Sequence, residues 1–455
     1  MYSFEHPKEI AVDEVQSYTI DWRRSVIIDN TIDDEMVKRL TPQILSLRQE
    51  NNDPITVGIN SLGGSTASLD ILLGLLTGPN QDGVTGEIIT VATHRAYSAA
   101  ANFLAFGDYS VALPHSQVLF HDVRFGGMVD VTPEKARDAA KSLQEANDTF
   151  ALRLASVIIK RLIWIYIDLR PEFEKYTNKY SGIYQRYSTI VSAYAPKVEG
   201  YEGPDIASFA TTLWSRVSSK NDSLIDNVME RLDRWISLSS IAKSAKTYRS
   251  KGSRTPGMLD GLRHLHKLFS GKADQFEAAE EDLKLLLSLI ISSISSKKSG
   301  RINFPLVLED SVREFGVLNS MNATRHIRYA SDLMLRHSHI FFANELNGEL
   351  DAMPEEEKTL LFAKASPHAR ILWHFCVLLC RELFEGEHTL NPNDAQLLGL
   401  IDEVSGGGPI QSKRDYRVEL AKSAAAAAQP ADSTPTGEPQ KIQDPSPSEA
   451  LAFTP

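Results

Sequence analysis

The sequence predicts an α/β fold: a parallel sheet with helical crossovers, interrupted by a mainly helical insertion and followed by a disordered tail. Two short apolar runs, Ile55–Ile59 and Ile88–Ala92, each lead through a turn into a stretch of helical period. Strand–turn–helix units in series form parallel sheets, because the helical crossover returns the chain to the same edge. Ligands of such sheets bind outside the carboxyl ends of the strands, so the two turns mark the expected site.

The neighbouring elements carry ordinary start and stop signals. Val26–Ile28 is expected to be the first strand. Asp33 is placed to cap the following helix, because its carboxylate can accept from the N–H groups of the first turn. Glycine stands just past the end of two predicted helices, where its conformational freedom suits a helix end. These helices are Thr66–Leu76, before Gly78, and Ser98–Phe106, before Gly107.

The strand ends carry the groups that acyl transfer needs. The first turn holds Gly63 and Gly64, the second holds Ser98 at the start of its helix, and a third apolar run ends on His121. A histidine that takes the proton of a serine hydroxyl makes the serine a competent nucleophile. Backbone N–H groups in side-chain-poor turns stabilise the oxyanion that then forms. The pattern therefore indicates a Ser-His hydrolase site at one edge of the sheet.

This stretch resembles the proteolytic subunit of the Clp protease and, more broadly, the Clp/crotonase fold, a superhelix of βαβ units. The order and the approximate spacing of its segments match those of the family. The segments that carry the resemblance are Val26–Asp34, Ile55–Gly64, Ala96–Ser98, Ala112–Pro114 and His121.

The resemblance implies a role for each residue of the site. Ser98 corresponds to the nucleophile and His121 to the general base, while the backbone N–H groups of Gly64 and Ala99 correspond to the oxyanion hole. It also implies a peptide or protein substrate, a homo-oligomeric ring, and a separate ATP-dependent unfoldase, since this chain has no P-loop motif of its own.

Three glycines are expected to shape the turn and the substrate-binding strand, namely Gly63, Gly126 and Gly127. The chain departs from the family near both places. Leu62 stands where the family usually has proline, and Asp122-Val123 replaces Gln-Pro after the histidine. The sequence thus predicts the family's chemistry with a reshaped substrate strand.

The family pattern breaks off after a long helix and resumes near the C-terminal end. A helix from Thr132-Pro133 to about Leu162 resembles the family's handle, and Leu390–Val404 resembles its closing helix and strand. Counting back along that pattern places the third triad member on Glu387. The expected division is a Clp-like part over 1–163, a helical insertion over 164–368, a closing Clp-like part over 369–405, and a low-complexity disordered tail over 406–455.

Composition narrows the class of protein further. The net charge of −11 argues against bulk attraction to nucleic acid or anionic membrane. No apolar run is long enough to predict a membrane span, and no secretory signal is visible at the start. Only two cysteines occur, Cys376 and Cys380, in an apolar helical segment, which fits core thiols and a cytoplasmic protein. The sequence predicts no metal site and no cofactor.

Simpler interpretations stand beside each functional one. Ser98 is also a favourable helix N-cap, His121 also suits an ordinary strand end, and Glu387 also suits an exposed loop, which would leave a Ser-His dyad. The favoured hypothesis is a Clp-like serine endopeptidase. The alternatives are an inactive Clp-like scaffold whose helical insertion binds a partner, and a crotonase-type acyl-CoA enzyme that uses the same N–H pair for an enolate.

Overall fold

A seven-stranded mixed sheet organises the Clp-like part of the chain. Five strands run in the order β1-β2-β3-β4-β7, while β5 pairs with β3 and β6 pairs with β5. The strands are β1 (Ser25–Ile32), β2 (Ile55–Gly64), β3 (Ile88–Tyr97), β4 (Tyr109–Ala112), β5 (Gln117–His121), β6 (Glu387–Leu390) and β7 (Glu403–Val404). The computed structural model describes residues 20–80, 83–126, 131–173, 206–221, 223–232, 317–318, 321–337, 341 and 350–405.

Strand β3 divides its pairing between two neighbours. Its first half pairs with β4 from Ile89 to Ala92, and its second half pairs with β5 from Arg95 to Tyr97. Both pairings are parallel, whereas β6 lies antiparallel to β5. Because β3 and β5 are parallel neighbours, the turn after β3 and the end of β5 meet at one edge of the sheet.

Helices cover the sheet and continue beyond it. Asp33 caps α1 as predicted, since its carboxylate accepts from the N–H of Met36 at 2.9 Å. A further helical stretch covers residues 223–232. The other helices are α1 (Asp34–Glu50), α2 (Thr66–Thr77), α3 (Ala99–Ala105), α4 (Pro133–Phe173), α5 (Ile206–Arg216), α6 (Met321–Arg336), α7 (Glu355–Leu383) and α8 (Pro392–Leu397).

Helix α4 is the long helix expected after the histidine strand. It begins at Pro133, and the hydroxyl of Thr132 accepts from the N–H of Lys135 at 3.2 Å, as a capping residue does. The helix runs to Phe173, well past the expected end near Leu162. Its extension is held by continued burial against α5, α6 and α7, at Ile163, Tyr166 and Leu169.

Arg161 ties α4 to both parts of the Clp-like fold. Its side chain is 4% exposed and pairs with Asp402 at 2.9 Å. A buried guanidinium is tolerated only where its N–H groups find acceptors, and here they also reach three carbonyls and a hydroxyl. Those acceptors are the carbonyls of Ala105, Gly107 and Leu400 and the hydroxyl of Ser110.

The described part of the insertion is helical, as predicted, and it packs on the closing part of the fold. The buried carboxylate of Asp394 in α8 accepts from the N–H of Ser218 at 3.0 Å, from its hydroxyl at 2.6 Å and from the amide of Asn221 at 2.9 Å. The expected boundaries at 163/164 and 368/369 fall inside α4 and α7. The predicted tail over 406–455 lies outside the described residues.

The length and the composition of the helices in this structure decide whether any of them could span a membrane. Within the ranges that it describes, no helix combines the length and the apolar character needed to cross a bilayer.

Candidate active site

Ser98 occupies the sharp turn between β3 and α3. Its backbone has φ 55° and ψ −122°, a conformation that residues other than glycine rarely adopt. The turn is held because the N–H of Ser98 donates to the carbonyl of Leu119 on β5 at 2.8 Å. The hydroxyl makes no capping bond to α3. The interpretation of Ser98 as a helix cap therefore loses its support, and a strained turn that presents a serine is typical of a nucleophile.

Gly63 packs directly against this turn. A Cβ at Gly63 would lie 2.7 Å from the Cβ of Ser98, 2.6 Å from the carbonyl oxygen of Tyr97 and 3.1 Å from the nitrogen of Ala99. Its φ of 96° also suits glycine alone. The two predicted turns are thus in contact, and only a residue without a side chain fits between them.

The N–H groups of this turn have different uses. The N–H of Gly63 donates to the hydroxyl of Ser61 at 3.0 Å, so it is occupied within the turn. Gly64 has φ 152° and lies against β1, where a Cβ would be 2.2 Å from the carbonyl oxygen of Ile32. Ala99 opens α3, and the first N–H of a helix has no acceptor within it. Gly64 and Ala99 remain the predicted oxyanion donors.

His121 ends β5, next to the strand that leads to Ser98. Its Nδ1 lies 2.5 Å from the carbonyl oxygen of Asp122. A carbonyl only accepts, so we assign the hydrogen of the neutral ring to Nδ1. Nε2 then keeps its lone pair, which is the tautomer that a general base needs.

Glu387 lies directly across from His121 in the antiparallel β5–β6 pair. Side chains of opposite residues in such a pair lie on the same face. Its carboxylate, however, pairs with Arg124 at 2.5 Å, and both side chains are about 60% exposed. The hydrogen bond and the charge of Arg124 lower the pKa of Glu387. Glu387, the predicted acid, therefore lies beside His121 in the sheet, but its carboxylate is paired with Arg124.

The sequence did not predict two residues that contact the site, Arg124 and Asn147. Nothing in the local pattern around Arg124 marks it, because the strand that brings Glu387 near it lies far along the chain. Asn147 had a signal: it falls on the apolar stripe of α4, four residues after Leu143 and three before Phe150. A polar side chain on such a stripe often has a buried partner.

Other predicted positions lie at the margin of the site or away from it. Gly126 is exposed with open space around it, and Gly127 lies outside the described residues. Cys376 and Cys380 are buried in α7, where burial raises the pKa of both thiols. Among the described residues, no group of three or more histidine, cysteine or acidic side chains is placed to hold a metal ion.

Comparison with known proteins gives one match. The family model described as Clp protease matches residues 8–155. The matched range includes the turn at Gly63 and Gly64, the turn at Ser98, and also His121 and Asn147. Glu387 lies outside it. A search of curated proteins finds no match to the chain.

Proposed function

We propose that this chain, whose residues 8–155 match the Clp protease family model, is a serine endopeptidase that works through an acyl-enzyme. The observation that carries the proposal is the backbone of Ser98, held at φ 55° against Gly63 and beside the strand of His121. Such strain costs about 1–3 kcal/mol, so it persists only where the surrounding structure maintains it. Nucleophile presentation gives that strain a function.

In the first half of the reaction, Nε2 of His121 takes the hydroxyl proton of Ser98 as Oγ attacks the carbonyl carbon of a peptide bond. The carbonyl oxygen becomes an oxyanion, which accepts from the N–H groups of Gly64 and Ala99. Each such donor contributes about 100- to 1000-fold in rate. The C–N bond then breaks, and the departing amine takes the proton from His121.

In the second half, water repeats the sequence on the acyl ester. His121 takes a proton from water, the hydroxide attacks the ester carbon, and the serine oxygen leaves with that proton. Glu387 remains our candidate for the acid beside His121, supported by its position in the strand register. The Nδ1 contact with the Asp122 carbonyl supports a site that does not depend on Glu387 alone.

Assembly and partners follow from the family and are part of the proposal. Clp family peptidases act on protein substrates as oligomers, so we expect this chain to form a homo-oligomeric ring and to receive unfolded chains from a separate ATP-dependent unfoldase. The helical insertion continues the long helix α4, through which rings of this family stack. We therefore expect the insertion to change the contact between rings.

The test is labelling with a fluorophosphonate probe, read by intact mass. We expect a single adduct on the wild-type protein, no adduct on Ser98→Ala, and hydrolysis of a fluorogenic peptide reduced by about 10⁶-fold in His121→Ala. Ser25→Ala is the matched control: this half-buried serine at the start of β1 donates its hydroxyl to the Trp22 carbonyl, and the variant should label as the wild type does. Glu387→Gln should lose less than about tenfold, because its carboxylate is exposed.

An unlabelled but folded wild-type protein would overturn the proposal. It would favour the inactive scaffold, and binding experiments would then turn to the helical insertion. If the Ser98→Ala variant is still labelled, the nucleophile is a residue other than Ser98.

A further inference from the structure

The main chain that follows His121 is held from the handle helix α4. The side-chain oxygen of Asn147 accepts from the N–H of Val123 at 2.9 Å. Its side-chain nitrogen donates to the carboxylate of Asp122 at 3.3 Å. The side-chain amide of Asn147 therefore bonds to the side chain of Asp122 and to the backbone of Val123, the two residues that follow the base.

The same carboxylate is held from a second side. The other oxygen of Asp122 accepts from the N–H of Gly386, at 3.4 Å, in the residue that precedes β6. Asp122 thus lies between α4 and the segment that leads to Glu387, and it is half-buried there. A residue held by both neighbours has little freedom to turn.

The hydrogen bond from Val123 to Asn147 also affects His121, because it acts through a rigid peptide plane. The carbonyl of Asp122 and the N–H of Val123 belong to one peptide unit, which is planar and rigid. Asn147 holds the N–H end of this unit, and Nδ1 of His121 contacts the carbonyl end at 2.5 Å. Fixing one end of the plane fixes the direction of the other.

We propose that Asn147 is a positioning residue, which aims the Asp122 carbonyl at Nδ1 of His121 and so fixes the ring of the base. In a Ser-His-Asp triad a carboxylate sets the tautomer and the orientation of the imidazole. Here a backbone carbonyl does so, and the side chain of Asn147 maintains it. The inference rests on the proposed function, since it concerns the same base.

The first variant is Asn147→Ala, measured by the rate of fluorophosphonate inactivation over a range of probe concentrations. We expect the limiting inactivation rate to fall by about 10- to 100-fold, because small misplacement of a catalytic group has an effect of that size. The probe concentration at half-maximal rate should stay unchanged, since the role proposed for Asn147 is to orient the base through Asp122 and Val123 and not to bind the probe. Gln144→Ala is the matched control on the same helix: its amide donates to Asp148 and not to Asp122, so its rate should match the wild type.

A charge swap separates positioning from general loss of structure. Asn147→Asp alone places two carboxylates together and should reduce the rate at least as much as alanine. Adding Asp122→Asn restores an amide–carboxylate pair with the roles exchanged: the new carboxylate still accepts from the Val123 N–H, and the new amide oxygen still accepts from Gly386. The double variant should recover most of the lost rate.

The outcomes distinguish this inference from the function on which it rests. If the wild type is not labelled, the proposed function fails. If the wild type is labelled and a folded Asn147→Ala protein inactivates at the same rate, only the positioning role is overturned. Failure of the double variant to recover, while circular dichroism shows it folded, would also contradict the proposal.

Discussion

At the scale of single residues, the site depends on how closely two turns approach. Gly63 and Ser98 are at the limit of contact, because any Cβ at Gly63 would lie 2.7 Å from that of Ser98. The strained φ of Ser98 and the positive φ of Gly63 therefore both result from the close contact between the two turns. The serine keeps its conformation because the glycine leaves room for it.

Gly63→Ala should abolish the function of the site. The added methyl group must displace the turn at Ser98, and alanine at φ 96° is itself strained, so we expect peptide hydrolysis to fall by more than about 100-fold and the unfolding free energy to fall by about 1–3 kcal/mol. Hydrolysis assays and urea unfolding measure the two effects. Gly74→Ala is the control: Gly74 lies in α2 with open space around it, so this change should stabilise the protein by about 0.5–1 kcal/mol. An active Gly63→Ala enzyme would contradict this account.

Some residues of the candidate site could be predicted from the sequence, and Asn147 could not. Gly63, Gly64, Ser98 and His121 are local signals, because each stands where an apolar run ends. Asn147 acts through two hydrogen bonds that only the folded chain brings together. No sequence rule assigns it a partner, although its place on an apolar stripe marks it as unusual.

At the scale of secondary structure, the C-terminal end of α7 carries an unfavourable charge. Glu382 and Glu385 lie near the helix end, where the backbone dipole is already negative. Arg231, from the helical residues 223–232, pairs with both carboxylates, at 3.3 Å with Glu382. The insertion thus supplies the positive charge that lets α7 end just before the strand of Glu387.

Arg231→Ala should destabilise this junction. Glu382 has a side chain only 6% exposed, so removing Arg231 leaves a buried carboxylate that has, among the described residues, no cation beside it and only the amide of Asn227 as a donor, which costs about 3 kcal/mol. Urea unfolding at neutral pH should report the loss. Arg39→Ala removes an ion pair with Asp29 whose two side chains are about half exposed, and it should cost less than about 1 kcal/mol. Equal losses in the two variants would mean that Arg231 contributes only as a surface charge.

Strand starts were predicted better than strand ends. Strands β2 and β3 begin where the apolar runs begin, at Ile55 and Ile88, but each extends five residues past its predicted end. The extra residues are mixed in polarity and are held by pairing with neighbouring strands, which hydrophobic pattern does not reveal. Strand β6 was not foreseen, because its four residues pair with a strand that lies far earlier in the chain.

At the scale of the whole molecule, the described insertion and the Clp-like part share one core. The described residues between positions 20 and 405 belong to a single compact unit. The ring of Phe209 in α5 packs 5.3 Å from Tyr166 in α4 and 5.8 Å from Phe375 in α7. The insertion therefore stabilises the fold that it interrupts.

This shared core should make the protein sensitive to acid. Burial lowers the pKa of His368 to about 3 and of His326 to about 4, and it lowers that of His374 well below 6.5. Below pH 6.5 the unfolded state binds protons that the folded state excludes, so stability falls as the pH falls. Each fully buried histidine contributes about 1.4 kcal/mol per pH unit. Urea unfolding between pH 7 and pH 5 should show this slope, and His368→Leu should flatten it. A midpoint independent of pH would contradict the prediction.

The separation of β5 from β6 along the chain has a consequence for biosynthesis. Arg124 and Glu387 meet across 263 residues. At ordinary translation speeds, the ribosome needs roughly 13 to 50 s to make that distance. During this interval the nascent chain already contains Ser98 and His121, but one edge of β5 has no strand to pair with. An unpaired edge is a template for association with other chains. The nascent protein is therefore most exposed to misassembly at the strand that will carry its catalytic base.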